Sequence, residues 1–165
     1  MARTVTAIFD DASTAAKAVN RITALGISRD MISVLMSEET RGQYFSVETR
    51  SKAPEGAALG AATGGVLGAL AGALVAVGTL AVSGVGVVAA GPLVATLASL
   101  GAGGAAGGVI GALVGLGIPE HEAELAADRV ERGGILVGVE TTDANQAEDV
   151  EEIFDDMQGR SLASY

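Results

Sequence analysis

The sequence predicts an α+β protein: a ferredoxin-like βαββαβ domain, interrupted by an inserted glycine-zipper α-helical hairpin and followed by an extra C-terminal helix. Three observations carry this prediction. The flanks alternate short β-branched runs with amphipathic helical spacing. Between Glu55 and Glu120 no side chain is charged, and glycines recur there every fourth residue. Beyond that stretch the helix and strand pattern resumes, so its two ends belong to one folded unit.

Residues 4–9 set Val5, Ala7 and Phe9 against Thr4, Thr6 and Ile8, the alternation of a first strand. Asp11 or Ser13 can cap the following helix, whose inward positions Ala15, Val19, Ile22 and Leu25 run until Gly26. Residues 31–36 read as a second strand. Residues 43–49, with Tyr44, Phe45 and Val47, read as a third strand in a hairpin with the second. After the uncharged stretch, Pro119 suits a first helical position, and Ala123, Ala126, Ala127 and Val130 face inward until Gly133-Gly134. Residues 135–140 make the fourth strand. This βαββαβ order places two helices on one face of a sheet. Asp143-Ala144-Asn145-Gln146 resembles a capping box, opening an acidic helix with the apolar stripe Ala147, Val150, Ile153, Phe154 and Met157. That stripe covers the open sheet face of its own domain or docks on a neighbouring subunit.

The domain organisation is therefore residues 1–53 as the first part of the α+β domain, 54–118 as the hairpin, and 119–165 as the second part with the acidic helix. One glycine ladder is Gly56, Gly60, Gly64, Gly68 and Gly72; the other is Gly103, Gly107, Gly111 and Gly115. Residues four apart share a helix face, so each ladder is a groove that admits another helix almost to backbone contact. The break falls from Ser83-Gly84-Val85-Gly86 to Gly91-Pro92. Each arm of about 26 residues would measure roughly 39 Å at 1.5 Å per residue, against ~30 Å for a hydrocarbon core.

Glycine costs about 1 kcal/mol relative to alanine in an exposed helix interior, so the ladders need burial against lipid or partner helices. Two terminal features speak against lipid: no tryptophan or tyrosine belt flanks the segment, and the far flank opens on Glu120, His121 and Glu122. Three placements therefore stand: insertion in a bilayer, a water-soluble assembly whose hairpins share a small-residue core, and burial within one chain. The first two both require self-association, which makes another copy of the chain the expected partner, with the bilayer beside it. The absence of a basic and apolar leader at Met1 to Thr6 leads us to expect cytoplasmic flanks.

Charge and chemistry exclude more than they suggest. The net charge is −10, with seven Lys/Arg and seven Asp/Glu in residues 1–55 but three and thirteen in 120–165. No basic stripe is present to neutralise phosphates, which argues against nucleic acid. With no cysteine, thiolate chemistry and disulfides are excluded. Gly84-Val85-Gly86-Val87-Val88-Ala89 fits a loose dinucleotide pattern but has no acidic residue some 20 positions on, and no P-loop occurs. His121, the single histidine, sits between carboxylates that point elsewhere on a helix, so no metal site is expected. The acidic pairs Asp10-Asp11, Glu38-Glu39, Glu151-Glu152 and Asp155-Asp156 read as caps or solvated faces. No catalytic constellation and no cofactor site emerge, and the expectation is a protein that is not an enzyme. An alternative class is a soluble oligomeric regulatory module that binds a small ligand on its ferredoxin-like domain.

The most distinctive stretch is Gly117-Ile118-Pro119-Glu120-His121-Glu122-Ala123, followed by Glu131-Arg132-Gly133-Gly134-Ile135-Leu136-Val137-Gly138-Val139. It resembles bacterial heat-induced general stress proteins and the related low temperature-induced proteins. Those chains combine an opening strand and helix, a glycine zipper, the Gly-Ile-Pro helix and a Gly-Gly-Ile-Leu-Val strand. The chain departs from them at His121, where such relatives often carry an aromatic residue, and in its acidic tail. The resemblance implies a role in stress response and carries over no catalytic residue.

Overall fold

The computed structural model describes residues 3–37, 39–40, 110–111, 113–115 and 117–162, together with the backbone of 79–82 and 86–89. Its elements are β1 (Arg3–Phe9), α1 (Ala12–Ala24), β2 (Ile32–Met36), β3 (Thr79–Val82), β4 (Gly86–Ala89), α2 (Glu120–Glu131), β5 (Ile135–Thr141), α3 (Ala144–Asp156) and β6 (Arg160–Leu162). The architecture is α+β, built on an antiparallel sheet in the order β3-β4-β2-β5-β1-β6.

β1 and β5 are central because both of their faces are apolar enough to be covered. Val5, Ala7 and Phe9 on β1, with Ile135, Val137 and Val139 on β5, point to the first face of the sheet. Ile8 and Leu136 point to the second. The register aligns these rows, with Ala7 opposite Val137 and Ile8 opposite Leu136. β5 lies antiparallel to both β1 and β2, and β1 lies antiparallel to β6. β1 and β2 are therefore parallel and flank β5, while β5 and β6 are parallel and flank β1. Each parallel pair is bridged by one helix, α1 or α3.

Both bridging helices cover the first face. Asp11 begins α1 by accepting a hydrogen bond from the Thr14 amide at 2.9 Å. Ala12, Ala15, Ala16, Ala18, Val19 and Ile22 are its buried positions, and these mostly small side chains let the helix lie close to the sheet. Leu25, expected to face inward, is 49% exposed in the turn that ends the helix. α3 brings Ala147, Val150, Ile153 and Phe154 onto the same core.

α2 covers the second face, packing Ala123, Ala126, Ala127 and Val130 on Ile8, Leu35 and Leu136. This corrects the expected arrangement, in which α2 shared a face with α1 and the acidic helix was the addition. The antiparallel partner of β2 on this side is β5, through Met36 opposite Ile135 and Val34 opposite Val137, and its other side pairs with β4. The expected third strand, 43–49, lies outside the described residues, and β2 has no edge left for it. The physical reason is connectivity: α1 crosses between the parallel strands β1 and β2 and α3 between β5 and β6, right-handed crossovers that put both helices on the first face and leave the second to α2.

The predicted helical hairpin is also modified. Thr79–Val82 and Gly86–Ala89 form a β-hairpin that joins β2 through Val34 opposite Ala89. β4 thus falls within the expected break, and β3 lies in what was expected to be the first helical arm. β-branched Thr79, Val82, Val87 and Val88 favour extended backbone there. Gly56, Gly60, Gly64, Gly68, Gly72, Gly103 and Gly107 lie outside the described residues.

Candidate functional site

Of the glycine ladders, Gly111 and Gly115 are described, on helical residues 110–111 and 113–115 just ahead of α2. Leu113 is fully buried in the cluster beneath α2, and Ile110 packs against the same cluster. At 100° per residue these two anchors lie on one side of the helix and Gly111 and Gly115 on nearly the opposite side. Gly111 is exposed, and a Cβ added to it would meet no atom within 4 Å. Gly115 is exposed as well, and Val114 between them is 42% exposed. Part of the second ladder is thus held on an anchored helix with its glycine side turned away from the domain.

The end of this helix fixes that orientation. Gly117 has φ +88°, its amide donates to the Val114 carbonyl at 2.9 Å, and the Ile118 amide donates to the Leu113 carbonyl at 3.0 Å. These two bonds close the helix in a Schellman motif, and Leu113 and Ile118 are both buried in the same cluster, the hydrophobic contact that accompanies it. Pro119, expected as the first helical residue, stands instead as the N-cap of α2, which begins at Glu120, and its carbonyl accepts from the Ala123 amide at 2.9 Å.

The titratable groups singled out in the sequence that are among the described residues are structural or solvated; Glu38 lies outside them. His121 is exposed, and among the described residues no group of three or more His, Cys, Asp or Glu side chains could hold a metal. Asp11 is held at about 2, from an ordinary 3.8, chiefly by the Ser13 hydroxyl and then the Thr14 hydroxyl. The Gln146 amide lowers Asp143, and the Gln146 side chain accepts in turn from the Thr142 amide at 2.9 Å, a reciprocal cap displaced by one residue from the expected box. Glu151, Glu152, Asp155 and Asp156 are exposed along α3, as expected of a solvated face, and Asp156 meets Arg21 of α1 at 3.1 Å. A surface cleft beside Asp10, Leu125, Gly133 and Gly134 holds ion pairs, Arg129 with Asp10 at 3.6 Å and Arg132 with Asp128 at 2.7 Å. Its charges are already matched.

One arrangement was not foreseen. The hydroxyls of Thr6 and Ser33 are buried without a hydrogen-bond partner. The register sets both opposite Gly138, one from each neighbouring strand. Alternation along residues 4–9 already assigned Thr6 to the face opposite Val5 and Ala7. Its placement across Gly138 from Ser33 depends on β5 lying between β1 and β2, a neighbour the expected strand order did not give.

Among the described residues no helix is long and apolar enough to cross a membrane. Compared with protein-family models, curated proteins and solved structures, the chain matches none.

Proposed function

We propose that this chain is a non-enzymatic, stress-associated protein that self-assembles through its glycine-zipper segment, carried by a ferredoxin-like domain. The two interlocked βαβ units, β1-α1-β2 and β5-α3-β6, support the ferredoxin-like reading, with the residues between β2 and β5 as the insertion. The stress context rests on the resemblance of the Gly-Ile-Pro and Gly-Gly-Ile-Leu-Val stretch. The observation that carries assembly is the orientation of Gly111 and Gly115, exposed on a helix that Leu113 anchors from its other side. A helix so held needs no rearrangement to meet another, and small residues let the two backbones approach. The partner is a second copy of this chain, in a soluble assembly or within a bilayer.

Light scattering of the purified chain with and without detergent tests the reading. A defined multimer that Gly107→Leu and Gly111→Leu dissociate, with circular dichroism unchanged, is expected. A monomer, or a particle of the same size in both variants, refutes the assembly role; a particle that forms in detergent alone assigns assembly to the bilayer.

A further inference from the structure

Between the end of α1 and the second half of α3 runs a surface groove of about 370 Å³, lined by Arg21, Leu25, Asp149, Glu152, Ile153 and Asp156. Its floor is apolar. Ile153 belongs to the core of the first face, and Leu25 beside it is 49% exposed, so apolar surface continues from the core out to solvent. Asp149, Glu152 and Asp156 recur at helical spacing, which puts them on one side of α3, and all three are exposed. Arg21 answers Asp156 at 3.1 Å, whereas among the described residues Asp149 and Glu152 take part in no ion pair. The last carbonyls of α1 add partial negative charge at the same place. In the cleft beside Asp10 the charges match; here three carboxylates and one guanidinium surround an exposed leucine.

We propose that this groove docks a basic segment of another protein, with an aliphatic side chain resting on Leu25 and Ile153 and lysine or arginine beside it on Asp149 and Glu152. An apolar centre with complementary charge at its rim is the ordinary anatomy of a protein interface: the apolar contact holds the partner, and the rim charges steer its approach and fix its register. A second copy of the chain fits less well. Residues 120–165 hold three Lys/Arg against thirteen Asp/Glu, so a copy would bring like charge to like. An anionic lipid surface is repelled for the same reason. This inference is independent of the glycine face.

Fluorescence anisotropy of the full chain with a labelled peptide of about 14 residues, rich in lysine and alanine with leucines four apart, tests it. Saturable binding that weakens as salt rises is expected. The double variant Asp149→Asn/Glu152→Gln should weaken it about threefold or more, as loss of two exposed charge contacts implies, and Leu25→Ser should weaken it as well. Glu148→Gln/Glu151→Gln removes the same charge at the same spacing on another side of α3, outside the groove, and should leave binding nearly unchanged. Every substituted position is exposed, and circular dichroism checks that each variant folds. No saturable binding by the parent chain overturns the proposal. Equal weakening by the two carboxylate pairs does so too, since it would assign the binding to overall charge, and so does equally tight binding of the same peptide with glutamate in place of lysine. Particle size by light scattering should stay unchanged in Asp149→Asn/Glu152→Gln; a change would make another copy of the chain the occupant and overturn the basic partner. Failure to bind the peptide leaves the assembly reading to its own test.

Discussion

The ring of Phe9 fills the space that a side chain at Gly159 would need: a Cβ there would stand 2.7 Å from Cε1 and Cζ of the ring. Phe9 also meets Phe154 edge-on, with ring centroids 5.6 Å apart and planes at 71°. The end of β1, the end of α3 and the start of β6 are therefore locked by one aromatic contact. Gly159→Ala should lower stability by about 1–3 kcal/mol, the usual cost of overpacking a filled core. Urea unfolding followed by circular dichroism measures it, and Phe9→Leu in the same chain should recover part of the loss.

The residue before Gly159 makes an opposite prediction. Gln158 adopts φ 58°, the left-handed conformation that closes α3, where a side chain is unfavourable. Gln158→Gly should therefore be neutral to stabilising, by up to about 1 kcal/mol, since relief of the left-handed backbone competes with the greater freedom of the unfolded chain. A clear loss of stability by urea unfolding would show that the Gln158 side chain contributes more than its backbone costs.

Asp11 links stability to pH. Its carboxyl titrates at about 2 in the folded chain against an ordinary 3.8. The folded state therefore favours the charged form, and the contribution is complete above the ordinary value and declines as pH falls through that window. Asp11→Ala should cost about 1 kcal/mol at neutral pH, as loss of an N-cap does. Its melting temperature should also fall less than the parent's between pH 4 and pH 2, as read by thermal melts across that range.

Gly111 and Gly134 should separate assembly from folding. Space around Gly111 is open, so Gly111→Leu leaves the domain folded while obstructing the glycine face. A Cβ at Gly134 would stand 2.9 Å from the Arg129 carbonyl oxygen and 3.3 Å from Ile8 Cγ2, so Gly134→Ala strains the turn from α2 into β5. The first variant should change particle size by light scattering without lowering the melting temperature; the second should lower the melting temperature.

The local signals in the flanks were legible in the sequence. Asp11 and Asp143 as caps, the Ala123/Ala126/Ala127/Val130 and Val150/Ile153/Phe154 stripes and the first two strands all follow from spacing and capping chemistry. Strand neighbours were not legible. Tyr44, Phe45 and Val47 suggested a partner for β2, but pairing depends on which strand matches its apolar rows on both faces, and β5 does so with Ile135, Leu136 and Val137. The face taken by α2 followed from that error, and so did the unforeseen row of Thr6, Gly138 and Ser33 across three strands. Three residues of β6 are too few for a period to emerge. In the uncharged stretch, four-residue glycine spacing outweighed the β-branched cluster that forms β3 and β4.

The placement of β5 and β6 on either side of β1 sets a timetable for biosynthesis. β1 is made first, yet both of its sheet neighbours are the last strands to leave the ribosome. Closing the sheet centre requires contacts across most of the chain, the slow kind of folding step. The uncharged glycine-rich stretch is therefore synthesised in full before the sheet that flanks it can close. During that interval a 64-residue uncharged run, from Gly56 to Pro119, exists on the nascent chain before the finished domain does.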